Sequence, residues 1–91
     1  MNLKEIFDKS RELWSIDSQL YMLAEESIEL AKACFHVVRQ KRNSLDHLAE
    51  EIADTQFLID EMLYYFKLVP KVAHYRKLKE EKLEALITGA K

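Results

Sequence analysis

The chain has 91 residues and a formal net charge of −2, with 48% apolar and 33% charged residues. A chain of this length forms one domain, and without an excess of Lys and Arg it lacks the usual electrostatic basis for binding a nucleic-acid polymer. The N-terminus has no signal-peptide pattern, and no apolar run approaches the ~20 residues of a membrane span. These features predict a cytoplasmic protein with no membrane partner.

The apolar periodicity predicts four helices and no strands, because one Gly and one Pro leave few interruptions. The predicted helices run from Leu3 to Trp14, from about Gln19 (after a cap at Asp17 or Ser18) to Lys41, from a cap at Asn43 or Ser44 to about Phe66, and from Pro70 towards Gly89. The short polar turn at 41–44 makes the second and third helices antiparallel neighbours. The prediction is a single all-α domain over residues 1–91, an antiparallel helical bundle.

The second and third predicted helices are apolar over more than half of their circumference. One neighbouring helix cannot cover so wide an arc, so we expect oligomerisation to complete the core. Cys34, the only cysteine, lies in an apolar stretch and is expected to be buried as a small hydrophobic side chain.

Four carboxylates at matched spacing are the most informative feature of the sequence. Glu26 and Glu29 are three residues apart on the second helix, and Glu51 and Asp54 are three apart on the third. Residues three apart on a helix share a face, so each pair presents two carboxylates together. Four carboxylates repel one another unless a cation lies among them, and carboxylate oxygens are the ligands that magnesium prefers.

Glutamates on helices usually mark a solvated face, and the helical positions argue against that interpretation here. Glu26 lies beside Met22, Leu23 and Leu30, at the edge of the apolar arc. Glu51 likewise follows Leu48 by three residues. A carboxylate that borders a packed surface is unfavourable unless it is paired or binds a metal.

At these residues the sequence resembles the all-α NTP pyrophosphohydrolases of the MazG-like superfamily, in particular its small, phage- and prophage-type members. Their hallmark is E-E-x-x-E, a spacer and then E-x-x-D, which here reads Glu25-Glu26-Ser27-Ile28-Glu29 followed by Glu51-Ile52-Ala53-Asp54. The run from Trp14 to Leu20 and the closing segment around Lys82 are also similar to this subgroup. Ser15 departs from the pattern, since the subgroup often has glycine there.

The resemblance implies an enzyme, a magnesium-dependent nucleotide pyrophosphohydrolase. Glu26, Glu29, Glu51 and Asp54 would hold Mg²⁺, with Mn²⁺ as a substitute. The reaction would cleave the α–β phosphate linkage of a nucleoside triphosphate or its deoxy form, giving a monophosphate and pyrophosphate. Glu25 is the candidate to orient or deprotonate the attacking water. The family also suggests a homodimer or homotetramer.

Substrate contacts are predicted from residue chemistry. Trp14 offers a stacking surface for a base, although an aromatic residue at helical spacing more often belongs to the core. The amides of Gln19 and Gln56 can read a base edge, and Lys82 on the last helix can meet a phosphate. No motif identifies the base or the sugar.

Two alternatives remain open. The first is phosphoribosyl-ATP pyrophosphohydrolase activity, which no motif separates from the leading hypothesis. The second is a non-catalytic helical interaction module of the same fold, with Tyr64, Tyr65 and Phe66 as its partner surface. A carboxylate-bridged di-iron bundle would need E-x-x-H pairs, and the third residues after Glu26 and Glu51 are acidic instead.

Overall fold

The computed structural model describes residues 1–40 and 44–89. These residues form four α-helices and no strand, which confirms the predicted all-α class. The helices are α1 (Leu3–Leu13), α2 (Ile16–Arg39), α3 (Leu45–Tyr65) and α4 (Val69–Gly89). The most extensive packing is between α2 and α3, the two helices predicted to be neighbours. None of the helices within the described ranges is both long and apolar enough to cross a membrane.

The start of α2 differs from the prediction. The helix begins at Ile16, and its N-cap is Ser15 rather than Asp17 or Ser18. The Ser15 backbone is extended, and its Oγ accepts a hydrogen bond from the Ser18 N–H at 3.0 Å. Ser15 therefore satisfies one of the free N–H groups of the first turn, and Asp17 lies within that turn, where its charge complements the helix dipole.

The turn between α2 and α3 can be compared with the prediction only in part. Ser44 occupies the N-cap position of α3, but its side chain makes no capping hydrogen bond. The other predicted cap, Asn43, and the predicted end of α2 at Lys41 lie outside the described residues.

A small aromatic core fixes α1 against the C-terminal half of α3. Phe7 is buried, and its ring lies 5.4 Å from that of Phe57 and 6.3 Å from that of Tyr65, centroid to centroid. The Tyr65 hydroxyl donates to the Phe7 carbonyl oxygen at 2.6 Å, and the Tyr64 hydroxyl donates to Asp8 Oδ1 at 2.8 Å. These contacts join residues at least 50 positions apart and set the position of α1.

The connection from α3 to α4 is a Schellman motif. Lys67 has a positive φ of 53°, the Lys67 N–H donates to the Tyr64 carbonyl, and the Leu68 N–H donates to the Leu63 carbonyl. Glycine is the usual residue at this left-handed position because a Cβ is strained there. Pro70 then lies in the first turn of α4, as predicted.

The isolated chain leaves much apolar surface exposed. No residue of α4 is buried, and the radius of gyration of 16.6 Å exceeds the ~12 Å expected for a compact domain of this length. Cys34 is exposed as well, so the prediction of a buried thiol is wrong for the single chain. The α2 side chain that does reach the core in this region is Ala33, one position earlier. Completion of the core by a second copy stays a prediction.

Candidate metal centre and adjoining cavity

Three of the four predicted metal ligands meet between α2 and α3. Glu26 on α2 and the pair Glu51 and Asp54 on α3 each place a carboxylate oxygen within 4.8 Å of the others. The i,i+3 spacing on α3 brings two of these groups onto one face, and the packing of α2 supplies the third. The structure thus forms a compact acidic cluster of Glu26, Glu51 and Asp54.

Glu51 is the most constrained member of the acidic cluster. It is 8% exposed, and its buried Oε2 has no hydrogen-bond partner among the described residues. Its Oε1 lies 3.9 Å from His47 Nε2, a distance too long for a hydrogen bond. A buried carboxylate oxygen without a partner is unfavourable, and a cation beside Glu51 could satisfy it.

The pKa of Glu26 reflects the crowding of carboxylates in the acidic cluster. Partial burial raises the pKa of the Glu26 carboxyl, and the negative charges of Glu51 and Asp54 raise it further. A carboxyl beside two like charges takes up a proton more readily than in water, unless a cation offsets those charges. Three oxygen donors of this kind fit a hard divalent ion such as Mg²⁺ or Mn²⁺.

Glu29, the fourth predicted metal ligand, and Glu25, the predicted water-activating residue, both lie outside the acidic cluster. Glu29 is exposed and lies outside the acidic cluster, with its Oε1 3.4 Å from the ammonium of Lys32. Glu25 is also exposed on α2. An exposed ion pair at i,i+3 contributes little to stability, so the contact with Lys32 does not fix the Glu29 side chain.

A cavity of about 590 Å³ adjoins the acidic cluster. Its volume falls within the range of small-molecule sites, roughly 300–1,000 Å³. The acidic cluster borders it through Glu26 and Asp54, and the rest of the lining comes mostly from apolar side chains of α1, α2 and α3. The lining residues are Met1, Ile6, Lys9, Ser10, Leu13, Trp14, Gln19, Met22, Glu26, Asp54, Phe57, Leu58 and Glu61.

Two of the four predicted substrate-binding residues line this cavity. Trp14 is 56% exposed, and Gln19 is 2% exposed. The Gln19 amide is already engaged, because its Nε2 donates to the Trp14 carbonyl at 3.3 Å and its Oε1 accepts from Ser10 Oγ at 3.3 Å. Gln19 therefore links the end of α1 to α2 and helps to position Trp14.

The other two predicted substrate-binding residues lie elsewhere. Gln56 is exposed on α3, and Lys82 is exposed on α4. Among the described residues, the cavity lining includes neither of them.

Sequence reasoning missed Glu61, a carboxylate that is 4% exposed and lines the cavity. Its Oε2 lies 2.9 Å from the Tyr65 hydroxyl and 3.4 Å from Ser10 Oγ. The helical spacing of Glu61 could have identified it from the sequence. Glu61 follows Asp54 by seven residues, which is two turns, and it shares that face with Leu58 and Tyr65.

Comparison of the chain with protein-family models, with curated proteins and with solved structures returned no match.

Proposed function

We propose that the chain is a magnesium-dependent nucleotide pyrophosphohydrolase that cleaves the α–β linkage of nucleoside triphosphates or their deoxy forms to a monophosphate and pyrophosphate. The observation that carries the proposal is the convergence of Glu26, Glu51 and Asp54 at the border of a cavity of ligand size. A carboxylate cluster without a cavity would suit a structural ion. Their combination suits a metal that serves a bound substrate.

Glu26, Glu51 and Asp54 would hold the ion. Magnesium, when bound, would offset the charge of the triphosphate and make a water molecule nucleophilic near neutral pH. The chain's own contribution is position and charge. Glu51 would hold the ion through Oε2, which has no hydrogen-bond partner in the described part of the chain. Glu26 and Asp54 border the cavity in which the substrate would lie.

Glu29 and Glu25 keep secondary roles in the proposal. Glu29 is on the same face of α2 as Glu26, one turn away, and its exposed side chain is free to turn from Lys32 towards a metal. Glu25 precedes Glu26 and is exposed, and among the described residues it belongs neither to the acidic cluster nor to the cavity lining. The assignment of Glu25 rests on the family resemblance.

The exposed apolar surface supports self-association into a homodimer or homotetramer. Apolar side chains such as Val72, Tyr75, Leu78 and Leu86 are exposed along α4. A surface of this kind generally marks an interaction site. The proposal is therefore a homo-oligomeric enzyme of the cytoplasm with the acidic cluster between α2 and α3.

The same α4 surface favours the second candidate, a non-catalytic helical interaction module. Of the partner surface predicted for it at Tyr64, Tyr65 and Phe66, only Phe66 is exposed, because Tyr65 is buried and Tyr64 is half-buried in the core beneath α1. Exposed α4 replaces it as the candidate surface.

The test is pyrophosphate release from a panel of canonical and modified nucleoside triphosphates and phosphoribosyl-ATP, with magnesium or with chelator. We expect release that requires magnesium and yields a monophosphate. Asp54→Asn should abolish turnover and leave the helical circular-dichroism spectrum unchanged. Asp60→Asn is the matched control, because Asp60 is an exposed acid on the same helix.

Three outcomes contradict the proposal in whole or in part. Retained activity in Asp54→Asn would remove that residue from the metal site. If no substrate of the panel releases pyrophosphate and magnesium does not change the melting temperature, the interaction module would be favoured. Preferential hydrolysis of phosphoribosyl-ATP would select the alternative enzyme.

A further inference from the structure

We propose that the α1 side of the cavity is a nucleobase subsite that selects bases carrying an exocyclic amino group, with the Glu61 carboxylate as hydrogen-bond acceptor and Trp14 beside the base. This inference rests on the proposed function for the triphosphate end of the ligand and adds the class of base.

Glu61 has the bonding pattern of a recognition group. Its Oε2 lies 2.9 Å from the Tyr65 hydroxyl, whose proton it shares with the Phe7 carbonyl, and 3.4 Å from the Ser10 hydroxyl, whose proton it shares with Gln19 Oε1. Among the described residues, no hydrogen bond is made to its Oε1, and Glu61 lines the cavity although it is 4% exposed. One oxygen orients the carboxylate, and the other keeps its capacity to accept a hydrogen bond from a ligand.

The spacing along α3 matches a nucleotide. Asp54 and Glu61 are seven residues apart and therefore on the same face, separated by about 10 Å along the helix axis at 1.5 Å per residue. That distance is close to the span of a nucleoside from its 5′ phosphate to the far edge of its base. A ligand with its phosphates at the acidic cluster thus brings its base edge to Glu61.

The surroundings of Glu61 suit a flat aromatic ring. Trp14, Leu13, Met22 and Phe57 line the same cavity as Glu61. Aromatic and apolar side chains with a few placed polar groups are the usual lining of such sites. Base stacking on an aromatic side chain stabilises binding without selecting a particular base. Selection therefore falls to Glu61.

An ionised carboxylate accepts hydrogen bonds and donates none. Adenine, cytosine and guanine carry an amino group that donates to it. At the position of the amino group of cytosine and adenine, uracil and hypoxanthine have a carbonyl oxygen, which the carboxylate repels. The ring N–H that uracil and hypoxanthine also carry lies one atom further along the same edge and reaches Glu61 only if the base shifts. One hydrogen bond to a charged group corresponds to a preference of about 10- to 100-fold for the amino-bearing base.

The test uses Trp14 fluorescence, because Trp14 is the only tryptophan and lines the cavity. The ligands are uncharged nucleosides in matched pairs, deoxycytidine with deoxyuridine and deoxyadenosine with deoxyinosine, so that the acidic cluster plays no part. For the wild type we expect about 10- to 100-fold tighter binding of the amino-bearing member. In Glu61→Gln the preference should disappear, because an amide both donates and accepts. Asp60→Asn should behave as the wild type.

Equal affinities within both pairs for the wild type, or no change in Trp14 emission with any nucleoside, would overturn the subsite. The wild-type result decides this even if Glu61→Gln fails to fold. Binding discrimination without magnesium-dependent pyrophosphate release would leave the subsite standing and remove the proposed reaction. Magnesium-dependent pyrophosphate release with no base preference would support the proposed reaction and remove the subsite.

Discussion

Replacing the buried ligand Glu51 tests the metal centre most directly. Glu51→Gln keeps the size of the side chain and removes one charge from the acidic cluster. The oxygens of Glu51 and Asp54 lie within 4.8 Å of each other, and like charges at that distance repel by about 3.5 kcal/mol at an effective dielectric of 20. Solvent around exposed Asp54 screens this to about 1 kcal/mol. Without metal, the variant should therefore melt at the wild-type temperature or a few degrees above it.

With magnesium, the wild type should have a higher melting temperature than Glu51→Gln. An ion present at 100 times its dissociation constant stabilises the fold that binds it by about 2.7 kcal/mol. For a domain of this size, that corresponds to a rise in the melting temperature of about 10–20 °C. The wild type should show this rise, and Glu51→Gln should show little or none. Thermal melts with magnesium and with chelator provide the assay.

Glu50→Gln is the matched control, because Glu50 is the exposed neighbour of Glu51 and carries the same charge. It should keep the full magnesium response. Equal magnesium-induced shifts in the wild type and in Glu51→Gln would refute the assignment of Glu51 as a ligand. A fall in the metal-free melting temperature of Glu51→Gln by several degrees would show that the carboxylate has a stabilising partner, contrary to the structure.

Three further predictions concern the frame that holds the site. Phe7→Ala should destabilise the fold by about 3–5 kcal/mol in denaturant melts, because Phe7 is buried. It should also weaken nucleoside binding, because Phe7 packs against Phe57, which lines the cavity. A loss below about 1 kcal/mol would contradict this. The Tyr64 hydroxyl and Lys4 lower the pKa of Asp8 from its ordinary value of 3.8. The ionised carboxylate therefore stabilises the fold above pH 3.8, and this contribution is lost as the pH falls through the lowered pKa. Tyr64→Phe should thus differ from the wild type in melting temperature near neutral pH and converge with it in acid, and a difference independent of pH would argue against the contact. Lys67→Gly should raise the melting temperature by a few degrees, because glycine has no Cβ to be strained at a φ of 53°. An unchanged or lower melting temperature would show that the turn is not strained.

The order and type of the helices were predictable because their signals are local. Apolar periodicity, the polar turn and Pro70 each act within a few residues, so α1, α3 and α4 begin within one residue of the predicted positions. The error at the start of α2 has the same origin, because several polar residues in the segment can cap and the side-chain geometry of Ser15 decides among them.

The sequence by itself determined that the chain is helical and that two acidic pairs lie on the faces of consecutive helices, since i,i+3 spacing needs nothing beyond helix geometry. Only the tertiary structure decided that Glu26 joins Glu51 and Asp54 while Glu29 stays outside, and that Glu61 borders the same cavity. These outcomes depend on how α2 rotates against α3 and on where α1 docks. Both are set by contacts between distant residues, such as that of Phe7 with Tyr65, which no local pattern encodes.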